Sequence, residues 1–159
     1  MVTANVNGEL SISFPNGFSV MEINELHHAF STNNPNMWGI RDKVNHAMLV
    51  VTWHEPKPAG FLKKVFSVRE QAERAEKIQR KIYKKGSYNF NGFFETVIGG
   101  QEAHGYRYDY KNEDTPQSAE TIVFRQGRYS YTLYYYTRRG IASKNRKAYE
   151  NILESIAFE

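Results

Sequence analysis

Five histidines are the side chains in this sequence best suited to metal chemistry. A protein metal site needs several imidazole, carboxylate or thiolate ligands that converge on one ion. The chain has no cysteine, and its histidines form neither an i, i+4 pair nor a His-Glu-x-x-His pattern. Adjacent histidines on a helix point about 100° apart, so the pair at positions 27 and 28 would not easily share an ion. We therefore predict no metal site and no cofactor, and interpret these residues as surface or hydrogen-bonded histidines: His27, His28, His46, His54 and His104.

The sequence contains no complete pattern for nucleophilic catalysis or phosphate binding. It lacks both cysteine and a Gly-x-Ser-x-Gly elbow, so no activated nucleophile can be assigned. Gly99-Gly100 separates two strand-like runs, whereas a phosphate-binding loop joins a strand to a helix. We predict that the protein is not an enzyme and has no catalytic residues.

Three carboxylates, Glu95, Glu102 and Asp109, could in principle supply an acid–base pair. They would straddle a hairpin, where carboxylates commonly form solvent-facing pairs with arginines on the neighbouring strand. We interpret them as cross-strand partners of Arg107 or Arg125.

Positive charge is concentrated on one long predicted helix and just after the last strand. The net charge is +4 and the isoelectric point about 9.2, which is weaker than a dedicated nucleic-acid binder usually shows. Acidic residues at i, i+4 spacing neutralise the first three turns of the helix through the pairs Glu70–Arg74, Glu73–Lys77 and Glu76–Arg80. We interpret this surface as a solvated helix face. The alternative is a weak nucleic-acid site formed by Lys81, Lys84, Lys85, Arg138 and Arg139.

Aromatic residues alternate along the predicted strand from Glu102 to Tyr110. Side chains of successive strand residues point to opposite faces, so one face carries His104, Tyr106, Tyr108 and Tyr110. Neighbouring strands would add Tyr134 and Tyr136, or Tyr129, Tyr131 and Tyr135, depending on the register. Tyrosine combines apolar area with a polar tip, which suits a wet groove or an interface. We predict that this face points outward and forms the binding surface, with His104, Tyr106, Tyr108, Tyr110, Tyr134 and Tyr136 as its residues.

The elements that must position these residues follow from hydrophobic periodicity and turn signals. In chain order they are a strand over Leu10–Phe14, a helix from Val20 to Phe30, a hairpin of Met37–Arg41 and His46–His54, a helix from Val68 to before Gly86, a meander, and a last helix opening at Gly140 and Ser143. The meander has the strands Phe93–Ile98, Glu102–Tyr110, Thr121–Arg125 and Arg128–Thr137, with a polar loop over Lys111–Ser118.

Two details of this prediction concern the helices and the centre of the sheet. Capping boxes, Ser19 with Glu22 and Ser67 with Glu70, mark the first two helix starts. The long helix has an apolar stripe of Val68, Ala72, Ala75, Ile78 or Gln79, and Ile82. The run Ala47–Trp53 is apolar on both sides, which indicates a strand near the sheet centre.

The pattern predicts one α+β domain over residues 1–159, with an antiparallel sheet of about six or seven strands and helices on both faces. No apolar run approaches the roughly 20 residues of a membrane span, and the sequence as given begins with no signal peptide. We predict a cytoplasmic protein.

Two stretches carry a resemblance to a known family. One is Phe14-Pro15-Asn16-Gly17-Phe18. The other joins the tyrosine-rich run Tyr129–Tyr136 to the ending Tyr149–Phe158. The sequence resembles PsbP-like domains, whose fold is shared with the Mog family of Ran-binding proteins. The resemblance implies an antiparallel sheet sandwiched by helices. It also implies an accessory role, since members act in photosystem assembly or bind a small GTPase.

The leading functional prediction is a non-catalytic protein-binding or accessory module of unknown partner that uses the tyrosine-rich sheet face. One alternative is a small-molecule-binding or enzymatic cone of the ketosteroid-isomerase type, with His104, Asp109 or a tyrosine in a deep pocket. The other is the weak nucleic-acid binder described above. The sequence leaves the oligomeric state open.

Overall fold

Two antiparallel sheets and three helices make up the described part of the chain, which is residues 1–58, 61, 63–83 and 85–159 of a computed structural model. The strands are β1 (Val2–Asn5), β2 (Leu10–Phe14), β3 (Ser19–Val20), β4 (Met37–Asp42), β5 (Ala47–His54), β6 (Tyr88–Ile98), β7 (Gln101–Asn112), β8 (Thr115–Gln126), β9 (Tyr129–Arg138) and β10 (Ala157–Phe158). The helices are α1 (Ile23–Ala29), α2 (Val68–Ile82) and α3 (Ala142–Ser155). The large sheet has the order β3-β4-β5-β9-β8-β7-β6, and the small sheet β1-β2-β10.

The predicted α+β class, the seven-stranded sheet and the helices on both faces are confirmed. Helices α1 and α2 lie on one side of the large sheet, where α1 packs on β4 and α2 on β7 and β8. Helix α3 and the small sheet lie on the other side, where they enclose the main apolar core. Strand β5 occupies an inner position between β4 and β9, as its apolar run predicted.

The meander is longer and tighter than predicted. The polar loop expected over Lys111–Ser118 is wrong, because the turn there contains only Glu113 and Asp114. Both residues adopt left-handed backbone conformations, with φ of 48° and 67°. Two left-handed residues match the twist of a hairpin, so β7 and β8 pair right up to the turn.

Helix α1 starts later than the predicted boundary at Val20. Ser19 and Val20 instead form β3, paired with Arg41 and Ile40 of β4. The cap is Glu22, whose reciprocal partner is Glu25. The serine pattern failed as a cap signal because the backbone at Ser19 extends the sheet.

Helix α2 has the predicted Ser67–Glu70 capping box but buries only part of the predicted apolar stripe. Ile78 and Ile82 are 63% and 69% exposed, whereas Ala72 and Glu76 are buried. The Glu76 carboxylate can be buried because Arg80 donates to both of its oxygens, at 3.0 and 2.8 Å, and the Tyr88 hydroxyl donates at 2.8 Å. Of the three predicted helix ion pairs, Glu76–Arg80 is present, while Glu73 pairs with Arg69.

Within the described residues, no helix is long and apolar enough to cross a membrane.

Candidate functional site

The tyrosine face is the side of the large sheet covered by α1 and α2, and its tyrosines on β7 and β9 are Tyr106, Tyr108, Tyr110, Tyr134 and Tyr136. Tyr106 and Tyr108 are 0% and 1% exposed. They pack with Ala119 against Ala75 of α2. This corrects the prediction that these two tyrosines point outward to form a contact surface. The physical reason is that small alanines on α2 allow the helix to lie directly on β7 and β8.

The other three tyrosines lie where neither helix fully covers the sheet, and all three are half-buried. The ring of Tyr136 is 6.2 Å from that of Tyr110 and 6.0 Å from Phe30, which follows α1. Tyr110 is in turn 5.0 Å from Tyr83, at the end of α2. A continuous row of aromatic rings therefore crosses the sheet from one helix to the other.

A cleft of about 310 Å³ opens beside the two middle rings of this row, Tyr110 and Tyr136. We call it the tyrosine cleft. Its lining residues are Arg41, Asp42, Lys43, His46, Ala47, Met48, Tyr110, Asn112, Gln117 and Tyr136. Tyr134 lies beside the cleft, packed against Leu26 and Val50. Of the six predicted binding residues, the structure thus places Tyr110 and Tyr136 in one cleft with Tyr134 next to it.

The hydroxyls of the tyrosine cleft are held in the neutral form. Burial, aided by the neighbouring Tyr83 and Tyr110 hydroxyls, raises the pKa of Tyr136 well above its usual value. Burial likewise raises the pKa of Tyr110. A neutral phenol can both donate and accept a hydrogen bond, so each ring offers an apolar surface and a polar tip to a ligand.

The charged rim of the tyrosine cleft is positive. Arg41 and Lys43 line it together with His46. The one carboxylate of the lining, Asp42, is buried and accepts hydrogen bonds from the backbone of Val44 and Asn45 at 3.1 and 3.0 Å. Both oxygens of Asp42 therefore already accept hydrogen bonds within the β4–β5 turn, which Asp42 stabilises.

Arg41 is oriented by a partner on α1. Its Nη2 lies 2.6 Å from Oε2 of Glu25. Its Nε is buried and has no hydrogen-bond acceptor among the residues that the structure describes. The guanidinium is thus held in place while part of its donor capacity is unused.

His104 is separate from the tyrosine cleft. It is buried at the far end of β7, where its Nε2 lies 2.7 Å from Oε1 of Glu102. It lines a different cleft, of about 230 Å³, with Arg69, Glu73 and Phe93. No group of three or more histidine and acidic side chains in the described residues could hold a metal ion.

The predicted basic patch is divided between the two sides of the sheet. Lys81 is exposed on the last turn of α2, and Lys85 lines a cleft with Arg80 and Tyr88. Lys84 lies outside the described residues. Arg138 ends β9, and Arg139 reaches toward Asp109 on the α3 side, with Nε 3.8 Å from Oδ1. The structure therefore does not bring the four described cations together into one surface.

The opposite side of the sheet carries a buried charge network that the sequence analysis missed. Oε1 of Glu120 accepts hydrogen bonds from Arg107 at 2.7 Å and Arg146 at 3.3 Å, and Oε2 accepts one from the Tyr149 hydroxyl. The Tyr149 ring stacks on Tyr135 at 3.8 Å. The network joins β7, β8 and α3.

The network could have been predicted from the opposite charges of Arg107 and Glu120, which are direct partners across β7 and β8. A polar loop over Lys111–Ser118 excludes the β7–β8 register that places Arg107 opposite Glu120. From the sequence, Arg107 is therefore predicted to pair with Glu95, Glu102 or Asp109. Asp109, one of those carboxylates, instead accepts a hydrogen bond from the Ser118 hydroxyl at 2.7 Å. Arg125, the other predicted arginine partner, donates from Nη2 to Oε1 of Gln71 at 3.0 Å.

A cleft of about 180 Å³ lies over the Glu120 network, lined in part by Asp109, Ser118 and Tyr135. A carboxylate at the floor of a pocket is the feature that the cone-type alternative would require. Both oxygens of Glu120 already accept from protein donors, however, which is the arrangement of a structural ion pair.

Solved structures from three organisms are similar to this chain. The cyanobacterial PsbP (CyanoP) of Synechocystis sp. PCC 6803 has a TM-score of 0.64 at 14% identity, over 94% of this chain and 86% of that one. LpqN of Mycobacterium tuberculosis, involved in cell envelope biogenesis, has 0.63 at 14%, over 94% and 82%. The Ran-binding protein Mog1p of Saccharomyces cerevisiae has 0.54 at 8%, over 92% and 88%.

These likenesses confirm the PsbP- and Mog-like fold expected from the sequence, and at such identities they show the fold alone. No protein-family profile matches the sequence. No curated protein matches it either.

Proposed function

We propose that the protein is a non-catalytic protein-binding module whose tyrosine cleft binds an acidic segment of a partner protein. The observation that carries the proposal is the combination of half-buried Tyr110 and Tyr136 with a rim that carries the cations Arg41 and Lys43. Tyrosine, methionine and arginine are the residues enriched where protein interfaces bury their surface. The positive rim selects a partner that supplies carboxylates.

The aromatic row is suited to binding because it is already ordered. Tyr110 and Tyr136 are held by ring contacts to Tyr83 and Phe30 on either side. A tyrosine side chain has only two rotatable bonds, and a ring fixed by its neighbours loses little entropy when a partner binds. The Arg41–Glu25 ion pair restricts the rim in the same way.

Two further facts support a binding role without catalysis. The buried carboxylate Glu120 is engaged by Arg107, Arg146 and Tyr149, which leaves it poorly placed to act as a free base. The yeast protein Mog1p, which has the same fold, is by its name a binder of another protein. Shared fold is only an analogy for function, so the cleft itself carries the proposal. The cytoplasmic location stays a prediction from the sequence.

A peptide-display selection on the purified protein tests the proposal. We expect the recovered peptides to be rich in aspartate and glutamate, because the rim is positive. Their binding, measured by calorimetry, should weaken as salt is raised from 50 to 500 mM, since exposed charges are screened. Tyr136→Ala should reduce affinity by roughly tenfold or more, the effect of removing an aromatic anchor.

Tyr129→Ala is the matched control. Tyr129 is a half-buried tyrosine at the other end of β9, away from the tyrosine cleft. Its replacement should leave peptide affinity unchanged. Recovery of neutral or basic peptides, or equal loss of affinity in the two variants, would contradict the proposal.

A further inference from the structure

The two edges of the large sheet differ greatly in length. One edge is β3, which contains only Ser19 and Val20. The other is β6, which runs for 11 residues from Tyr88 to Ile98. In the described part of the chain β6 pairs only with β7, so one side of its backbone is unpaired. A long edge strand is a template for pairing with another strand, and proteins usually protect it.

The protective features of an exposed edge are sparse in β6. It contains neither lysine nor proline, and its one charged residue is Glu95. A bulge at Gly92, with φ of 114°, interrupts the register with β7. Phe90, Phe93 and Val97 project from the tyrosine face and are 36%, 51% and 66% exposed. The edge therefore combines free backbone groups with exposed apolar side chains.

The charges beside β6 are opposite at its two ends. Near the start of the strand, Arg80 and Lys85 line one cleft with Phe90, and the Arg80 guanidinium is 5.6 Å from the Phe90 ring. Near its end lies Glu95, in one cleft with the ion pair Arg69–Glu73, and Glu102 of β7 sits opposite Val97. A second copy placed antiparallel along this edge would bring the acidic end of each copy to the basic end of the other.

We propose that two copies of the chain associate through antiparallel pairing of β6 with β6, about a two-fold axis between Gly92 and Phe93. This axis places Glu95 of one copy opposite Phe90 of the other and beside its Arg80. Phe90 and Glu95 both project from the tyrosine face, because the bulge between them offsets the alternation, so these two opposed side chains share a face. At the axis itself Phe93 lies opposite Gly92, which has no side chain. A two-fold interface of this kind is self-complementary and closes at two copies.

Sedimentation velocity over a concentration series measures the association. We expect a monomer–dimer equilibrium, with Val97→Lys raising the dissociation constant roughly tenfold or more, because it adds a lysine to each side of the interface. Val20→Lys is the matched control, an exposed valine on the opposite edge strand, and should leave the equilibrium unchanged. A chain that stays monomeric at millimolar concentration overturns the proposal, as does a dimer that Val97→Lys does not weaken.

Disulfide trapping tests the register. Because the sequence contains no cysteine, only the introduced cysteines can form a disulfide. Opposed residues in an antiparallel pair have Cβ atoms roughly 4.5–5.5 Å apart, so a small local shift brings them to the roughly 3.5–4.5 Å of a disulfide. A mixture of Phe90→Cys and Glu95→Cys should therefore form a covalent heterodimer under mild oxidation. A mixture of Phe90→Cys and Val20→Cys should not.

Equal trapping in both mixtures would show random collision and overturn the pairing. Because β6 is separate from the tyrosine cleft, a failure here leaves peptide binding intact, and a failure of peptide binding leaves the dimer intact.

Discussion

The two sides of the large sheet use the same strands but are covered in different ways. On one side, α3 and the small sheet cover the strands together, and Leu49, Ile122 and Leu133 are 0% exposed. On the tyrosine face, α1 and α2 lie apart, so Tyr106 is buried while Tyr136 is partly open. Whether a tyrosine of this sheet is buried or partly exposed therefore depends on the helix above it as well as on the strand that carries it.

Truncating a buried side chain should lower the free energy of unfolding more on the closed side of the sheet than on the tyrosine face. Leu133→Ala should lower the free energy of unfolding by about 3 kcal/mol, because it leaves a cavity in the closed side of the sheet. Met48→Ala, in the tyrosine cleft, should cost about 1 kcal/mol, since Met48 is only half-buried. Urea unfolding measures both. Equal losses would mean that the tyrosine face is packed as closely as the opposite side.

The second effect concerns the buried network on the closed side. Glu120→Gln should destabilise the protein by about 2 kcal/mol, because it leaves Arg107 and Arg146 without their shared carboxylate. Glu150→Gln is the control, since Glu150 is a more exposed partner of Arg146, and should cost less than about 0.5 kcal/mol. A Glu120→Gln variant as stable as wild type would show that the network contributes nothing to holding α3.

Alkaline pH provides a third and smaller test. Burial raises the pKa of Tyr135 to about 12, whereas an unfolded tyrosine titrates near 10. The folded pKa is the higher, so this contribution to stability is complete below pH ~10 and is lost as the pH rises toward ~12. We expect Tyr135→Phe to lose stability less steeply than wild type between pH 9.5 and 11, by on the order of 1 kcal/mol. Identical slopes would contradict the burial of this hydroxyl.

The smallest effect lies on the outer side of α2. Ile78→Lys should change the free energy of unfolding by less than about 0.5 kcal/mol, because Ile78 is exposed. Ala72→Lys should destabilise by more than about 2 kcal/mol, since it places a charge under the helix. Thermal unfolding of the two variants compares them directly. A larger loss for Ile78→Lys than for Ala72→Lys would contradict the exposure of Ile78 in the structure.

Local patterns predicted most of the fold, because alternation and turn residues are local properties. The tyrosines of β7 do share one face, and the fold class and central position of β5 followed from the same reasoning. What covers each face is set by long-range packing, so the burial of Tyr106 and Tyr108 under α2 could not be derived. Helical periodicity left Ile78 and Gln79 as alternatives, and Gln79 is the partly buried one. Periodicity could not predict that Glu76 is buried, because that depends on its bonds to Arg80 and Tyr88.

The candidate site was predicted only in part for a similar reason. Tyr110 and Tyr136 could be proposed from the alternating tyrosines. That they share a cleft with Arg41 and Lys43 depends on the pairing of β4 with β5 and of β5 with β9. Glu120 was missed because its pairing with Arg107 requires the hairpin register, which two left-handed turn residues determine.

The most direct test of the tyrosine cleft is an NMR titration of the isotope-labelled protein with an acidic peptide from the display selection. We predict that the largest shift changes fall on Met48, Tyr110 and Tyr136 and saturate together with the calorimetric binding curve. The largest changes falling instead on Arg107 and Arg146, or along β6, would contradict the assignment of the binding surface.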